Sequence, residues 1–375
     1  MSESATGTTT RSTTAGAEQL DGVLVVGGGY AGLHAVRALR DADVRVTIVN
    51  PDHRHDFVTR LAAVAGGTAG VDEASCDLSR FCPNVVVGTV TAVRDGEVDL
   101  DDGRTLAADA VIVASGSVPT QPPVDGIEHA LTLRTATDAV AIRDALVDTD
   151  AVVIVGGGPS GVQLAGAIAA AHPTIDVHLV DGEDELLSSM DSSLGEGAHR
   201  ILTDRGVTIR LGDHASKIHP DGIEVAGDRL DGLPIWSGGF TSSAAHLGPD
   251  VNEADRLLVD DQLRLLGMER TFAVGDVAAH LGTDGQALPM SAQIAVQAGS
   301  QAGENAVRLL RDEPLERSTL VQRGWVLDLG GHRGLGQFGP IVLAAPVADL
   351  LPPLLHKAID VKTLVGIGGI SAVTL

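Results

Sequence analysis

The chain is predicted to be α/β, with two Rossmann-like dinucleotide-binding domains and a small C-terminal α+β tail. The glycine-rich turn Gly27-Gly28-Gly29-Tyr30-Ala31-Gly32 recurs as Gly156-Gly157-Gly158-Pro159-Ser160-Gly161. Each copy stands directly after an apolar strand and directly before a helix, which is the context this motif requires. The 375 residues leave room for two or three cores of ordinary size. Two dinucleotide sites in one polypeptide point to electron transfer between a flavin and a nicotinamide.

The elements follow in order. Asp21 to Val26 ends in the run VLVV and reads as a buried strand; residues 30–41 carry Leu33, Val36 and Leu39 at helical spacing; Val44 to Val49 is a second parallel strand. Strands are expected at 84–87, around 98–106 through a hairpin at Asp102-Gly103, and at Ala110 to Ala114, with a linker from Val118 to Gly126. A second unit repeats the plan: a helix at 136–147, a strand at 151–155, the second turn, a helix at 160–171 and a strand at 176–180. Short strands at 206–210, 222–225 and 233–236 complete a domain of ordinary size. A strand at Phe272 and a helix from about Pro289 to Leu310 precede a Gly-, Pro- and Leu-rich tail.

In each turn the first glycine permits the bend, the second lets a pyrophosphate approach bare backbone, and the third lets helix and strand pack closely. The phosphates then meet free N–H groups at a helix N-terminus. The second strand of the first unit closes on Asn50 and that of the second unit on Asp181, followed by Glu183 and Asp184. A carboxylate there accepts the ribose hydroxyls and repels a 2′-phosphate, which favours NADH; Asn50 accepts the same bond without charge. Gly334-Leu335-Gly336-Gln337-Phe338-Gly339 matches the spacing formally, but Pro340 follows and no βαβ unit surrounds it. It is read as a hairpin turn.

Fifty acidic against 26 basic residues give a net charge of -24, and only three of the cations are lysine. Nucleic acid and anionic membrane surfaces are thereby poor electrostatic partners. Such an excess suits concentrated salt, where the Debye length falls to roughly 3 Å and self-repulsion is screened; a haloarchaeal cytoplasm is expected. The Ser/Thr/Gly-rich residues 1–19 read as a solvated, disordered leader without an export signal, and no apolar run is long enough to span a bilayer.

The two turns stand together with Ala114-Ser115-Gly116-Ser117, Trp236-Ser237-Gly238-Gly239-Phe240 and Ala273-Val274-Gly275-Asp276. In this combination the chain resembles the two-dinucleotide flavoprotein reductases from residue 20 to about 310. Ser291-Ala292-Gln293-Ile294-Ala295-Val296-Gln297 further resembles the AQxAxQ signature of type II NADH:quinone dehydrogenases. The resemblance implies an FAD domain (20–124 and 240–310) interrupted by an NAD domain (125–239), with 311–375 as a C-terminal membrane-association or interface segment. It implies FAD contacts at Gly27, Gly29, Tyr30, Ala31, Gly32, Asn50, Arg60, Val90, Ala114, Ser115, Gly116, Gly275 and Asp276. NADH contacts are implied at Gly156, Gly158, Gly161, Asp181 and Gly238, and the helix N-terminus near Pro289 would face the flavin.

Gln293 and Gln297 lie four residues apart on one helical face; they are expected to contact a quinone, the alternative being flavin or solvent. Gln163, in Gly161-Val162-Gln163-Leu164-Ala165-Gly166-Ala167, stands where this subfamily usually has a carboxylate, and Ala167 replaces a second acid. The amide cannot relay a proton to quinone. Cys76 and Cys82 lack the spacing and position of a flavin-proximal dithiol and are read as an inert pair; His53 and His55 are read as solvent-facing, and no metal is expected. The resulting activity is FAD-dependent transfer of hydride from NADH and of electrons to a membrane quinone. The alternatives are a soluble reductase of a ferredoxin-like carrier and a nucleotide-binding redox sensor. Residues 341–375 are read either as an interfacial membrane segment or as a subdomain packed on the FAD domain or across a homodimer.

Overall fold

The computed structural model describes residues 16–339 and, as backbone, 341–343. In chain order the elements that build the site begin with β1 (Val23–Val26), α1 (Tyr30–Asp41), β2 (Val46–Asn50), α2 (Leu61–Ala65), β3 (Val85–Val87) and β4 (Ala110–Val113). The second unit comprises β5 (Leu131–Thr132), α3 (Ala136–Ala145), β6 (Ala151–Val155), α4 (Pro159–Ala171), β7 (Asp176–Val180), α5 (Ser192–Thr203), β8 (Thr208–Arg210) and β9 (Leu233–Trp236). After it come β10 (Thr271–Ala273), α6 (Ala292–Leu310), β11 (Gly324–Asp328), β12 (Gly334–Phe338) and β13 (Ile341–Leu343).

Two five-stranded parallel sheets result, ordered β10-β4-β1-β2-β3 and β5-β9-β6-β7-β8. The strands β1, β4 and β6 are uninterruptedly apolar because both faces are covered. In β1, Val23 and Val25 enter the core beneath α1 and α6, while Leu24 and Val26 enter the core beneath an antiparallel meander at residues 90–107. In β6, Val152 and Ile154 face the helices and Val153 and Val155 face a second meander at 215–231. The first sheet takes β10 from beyond the second, so the inserted unit leaves and returns through a two-stranded antiparallel ribbon, Ser117–Pro119 against Phe240–Ser242. The expected linker at 118–126 therefore begins as a strand.

Small residues set the distance between α1 and α6. A Cβ on Gly299 would lie 2.1 Å from the Ala31 carbonyl oxygen, so only glycine admits this approach. Helix α5 was not foreseen, because Gly195 and Gly197 weaken its propensity. The Cβ that Gly195 lacks would meet the Leu186 carbonyl oxygen at 2.3 Å.

Two expectations need correction here. Glu18–Gln19 of the expected leader pair in parallel with residues 106–107, extending the first meander; the remainder of the leader, residues 1–15, lies outside the described residues. The formal third glycine motif is the strand β12, within an antiparallel β11-β12-β13 unit, rather than a turn. That unit packs on the inserted domain, where Leu327, Leu329 and Leu335 join the core of Ile154, Leu164 and Leu202. Residues 344–375, and with them most of the segment read as membrane-associated, lie outside the described residues. Among the described residues no helix is long and apolar enough to cross a membrane.

Candidate active site

Each turn is sealed on one side and open on the other. Gly27 adopts φ +101°, and a Cβ there would stand 2.4 Å from the Ala114 carbonyl oxygen; one on Gly32 would stand 1.9 Å from the carbonyl oxygen of Gly27. A Cβ on Gly29 would meet nothing within 4 Å. Gly156, Gly161 and Gly158 repeat this pattern against Ser237, Gly156 and open space. The residue expected to lie under a pyrophosphate is thus, in both turns, the one whose outward side is free, and both turns fit a dinucleotide.

Asn50 and Asp181 also hold the turns. The Asn50 carbonyl Oδ1 accepts from the Gly28 N–H at 2.9 Å, and its Nδ2 donates to the Asp52 carbonyl at 3.0 Å. Asp181 accepts from the Gly157 N–H with Oδ2 and from the Glu183 N–H at 3.0 Å with Oδ1. Asp181 lines a cleft of about 260 Å³ together with Gly156, Gly158, Ser160, Gly238 and Phe240.

Two residues near the first turn differ from expectation. His53 is exposed, but His55 is buried beneath the turn, its Nδ1 2.8 Å from the Gly28 carbonyl oxygen and its ring edge-on to Tyr30, Phe57 and Phe81. Burial pushes its pKa down to about 4, so the neutral ring donates that bond. Arg60, assigned to the pyrophosphate, pairs with Glu73. Its charge is already met, and nothing in this arrangement requires an anion beside it.

The strand ends between the two turns converge on Asp276. Gly275, at φ +76°, brings the loop against Ala31, and its N–H donates to His280 Nε2 at 3.1 Å. Ser117 Oγ donates to Asp276 Oδ2 at 2.8 Å. The hydroxyls of Ser115 and Ser243 are linked at 2.8 Å, and the Gly116 carbonyl accepts from the Ser243 N–H at 3.1 Å. Ala114 is buried at the end of β4. Val90 lies in the meander opposite Leu100, at a register shift.

Sequence reasoning missed two arginines here. Arg134, just before α3, donates from Nε to the Ser117 carbonyl at 3.0 Å and stands 3.7 Å from Asp276 Oδ2, over the ring of Phe240. It therefore touches both the Asp276 site and a residue of the second cleft. Arg256 is only 8% exposed; Nη1 donates to the Leu288 carbonyl at 2.9 Å, while Nε and Nη2 are buried without a partner. Such a buried cation is costly unless something occupies those donors, and the feature fits a chain whose cofactor would sit against Asp276.

The three glutamines expected to act in catalysis are engaged by the backbone. Gln293 accepts from the Arg323 N–H and donates to the Gly324 carbonyl at 3.3 Å; Gln297 accepts from the Val321 N–H at 3.2 Å and donates to the Val321 carbonyl at 3.0 Å. Gln163 donates to the Pro159 carbonyl at 3.0 Å and accepts from the Asp328 N–H at 3.1 Å. A glutamate at 163 would lose the first of these bonds. Ala167 is buried against Gly66 and Gly330, leaving no room for a carboxylate. These side chains fasten residues 321–328.

Cys76 and Cys82 are free thiols. Burial pushes the Cys76 thiol up to about 11 and also raises that of Cys82, so neither is a ready thiolate.

The model of the pyridine nucleotide-disulphide oxidoreductases matches residues 21–299, which includes both turns, the Asp276 loop and the start of α6. The chain belongs to this family. It is accordingly an FAD-dependent NAD(P)H oxidoreductase. A type II NADH:quinone oxidoreductase of Staphylococcus aureus is 27% identical over 390 residues, covering 93% of this chain and 96% of the relative. The structure of NDH2 from Plasmodium falciparum in complex with NADH superposes with a TM-score of 0.75 at 14% identity, covering 94% of this chain and 99% of that one. A ferredoxin reductase of Rhodopseudomonas palustris reaches the same TM-score at 18% identity, but covers 84% and 81%. Both structural likenesses speak to the fold.

Proposed function

We propose that the chain is a type II NADH dehydrogenase that draws hydride from NADH and delivers electrons to a membrane quinone. The observation that carries this reading is end-to-end similarity to a type II NADH:quinone oxidoreductase, 93% of this chain against 96% of that one. When bound, FAD supplies the two-electron chemistry.

The chain's own residues bind and orient. The open sides of Gly29 and Gly158 admit the two pyrophosphates at the N-termini of α1 and α4. Asp276, held by Ser117 and faced by Arg134, receives the polyol of the flavin cofactor. Asp181 accepts the adenine ribose of the nicotinamide cofactor and, with Glu183 and Asp184, disfavours a 2′-phosphate. No side chain need transfer a proton in the first half-reaction, because catalysis there is placement. The cysteines take no part, which supports direct transfer without a disulfide relay. On this reading the protein works at the cytoplasmic face of the membrane, reached through residues 341–375, in salt concentrated enough to screen its charge.

The test is anaerobic reduction by NADH in molar salt followed by reoxidation with a short-chain quinone or with ferredoxin. Saturable reoxidation by the quinone supports the reading; reoxidation by the protein carrier alone overturns it in favour of the soluble reductase.

A further inference from the structure

Helix α6 carries Gln293, Gln297, Gln301 and Asn305 at intervals of four residues, along one face. All four amides hydrogen-bond the backbone of a single passing segment. Asn305 donates to the Glu316 carbonyl and accepts from its N–H, each at 2.9 Å; Gln301 donates to the Arg317 carbonyl at 2.7 Å and accepts from the Thr319 N–H at 3.3 Å. Gln297 and Gln293 continue the row through Val321, Arg323 and Gly324. An extended segment without a neighbouring strand thus finds its missing partners in a ladder of side-chain amides.

The same segment runs directly into β11 and β12, which dock on the inserted domain. Gln163 of α4 accepts from the Asp328 N–H at 3.1 Å, and Arg205, beyond α5, donates to the carbonyls of Leu329 and, at 2.6 Å, of Gly330. The Cβ that Gly166 lacks would stand 2.4 Å from the Leu329 carbonyl oxygen, so the chain turns against the bare backbone of α4. One end of residues 316–335 is fastened to α6, which belongs with the first dinucleotide site, and the other to α4, which opens the second. Other ties between the domains are the ribbon 117–119/240–242, the packing of α2 on α4 at Gly66 and Ala167, the approach of Arg134 to Asp276 and the Ala136 N–H bonded to Asp56 Oδ2 at 3.0 Å.

We propose that residues 316–335 are a brace between the two dinucleotide domains, with Gln297, Gln301, Asn305 and Gln163 as positioning residues that set the approach of nicotinamide to flavin. The inference rests on the proposed function only for its first half-reaction. Hydride transfer needs the reacting atoms about 3–3.5 Å apart, and a displacement near 1 Å costs roughly 10²-fold in rate. A tie on α4 separate from the ribbon controls that displacement by limiting rotation about the ribbon.

The test uses the full-length flavoprotein carrying both Gln297→Leu and Gln301→Leu, which keep bulk and remove both hydrogen-bonding functions. Amide hydrogen exchange at Thr319 and Val321 should quicken about tenfold or more, and stopped-flow bleaching of the flavin by saturating NADH should slow by about tenfold per bound flavin. The apparent Kd for NADH should stay within roughly twofold, because Asp181 and the second turn are untouched. Gly166→Ala, which lifts the brace from its other end, should slow bleaching similarly while leaving exchange at Thr319 and Val321 unchanged. If the double variant does not fold, Gly166→Ala and the single Gln301→Leu decide the matter by the same bleaching rate.

Faster exchange with an unchanged bleaching rate overturns the proposal and reduces the segment to a local strap. Normal bleaching with slowed reoxidation by quinone overturns it in favour of direct acceptor contact by the glutamines. If the wild-type flavin is bleached by NADH but not reoxidised by quinone, the proposed acceptor fails while the brace remains testable.

Discussion

Asp181→Asn tests how the second site selects its cofactor. The substitution removes a charge and keeps the bond that ties the turn, as Asn50 does at the first turn: its Oδ1 accepts from the Gly28 N–H at 2.9 Å as Asp181 accepts from the Gly157 N–H, and only the second bond, from the Glu183 N–H, is given up. A 2′-phosphate of charge near −2, bound about 5 Å from the half-buried carboxylate, where salt screens a pair much less than on the open surface, would be repelled by up to roughly 1.7–3.3 kcal/mol for effective dielectric constants of about 80 to 40. That range corresponds to at most about a 15- to 250-fold change in preference. The assay is kcat/KM for NADH and for NADPH in molar salt, on wild type and variant. The ratio should fall by about that factor, mostly through a gain with NADPH, without reversing, since Glu183 and Asp184 remain. A ratio unchanged within about twofold would refute the reasoning and move selection to other residues.

Replacing Arg256 with Met removes a buried cation whose Nε and Nη2 lack partners. The midpoint potential of bound FAD should fall by roughly 30 mV or more, as reduced flavin loses a favourable charge; an unchanged potential with FAD retained contradicts the idea. His55 ties acid stability to the first turn. Its pKa is about 4 in the folded protein against the ordinary 6.5 of a free imidazole, so below pH 6.5 the unfolded chain takes up the proton first. The contribution of neutral His55 is present above pH 6.5 and is lost as pH falls toward 4, on the order of 3 kcal/mol in all. In denaturant titrations His55→Asn, which keeps a donor for Gly28, should flatten that loss; an identical pH profile counts against it. Dialysis from molar salt to dilute buffer should lower the unfolding temperature steeply, because a net charge of -24 is then unscreened; an unshifted transition rules out the salt adaptation.

Both dinucleotide units were legible because each rule acts locally. Strands covered on two faces need continuous apolar runs, and the turns need glycine wherever another backbone lies within bonding distance of a Cβ. The predicted strands at 151–155 and 176–180 and the helix at 30–41 match the structure for that reason. What stayed hidden depends on contacts distant in sequence. Two glutamines four residues apart do not reveal their partners in sequence, and their bonds to the backbone of residues 321–324 follow only from the course of that segment. A period of four continuing through Gln301 to Asn305 was the available signal, since an acceptor site needs two amides and a ladder needs a row. His55 was misjudged because its polar neighbours in sequence hide its place beneath Gly28, and Arg134 because it comes from another domain. Helix α5 was missed for its glycines, which serve packing against Leu186 instead of propensity.

The central claim is that the two turns bind two dinucleotides and pass electrons from NADH to quinone. Its most direct measurement is an anaerobic spectral titration of the purified yellow protein in molar salt, with NADH and then a short-chain quinone. About one NADH should bleach each flavin, and about one quinone should restore the oxidised spectrum. A flavin that NADH bleaches but quinone leaves reduced would contradict the account.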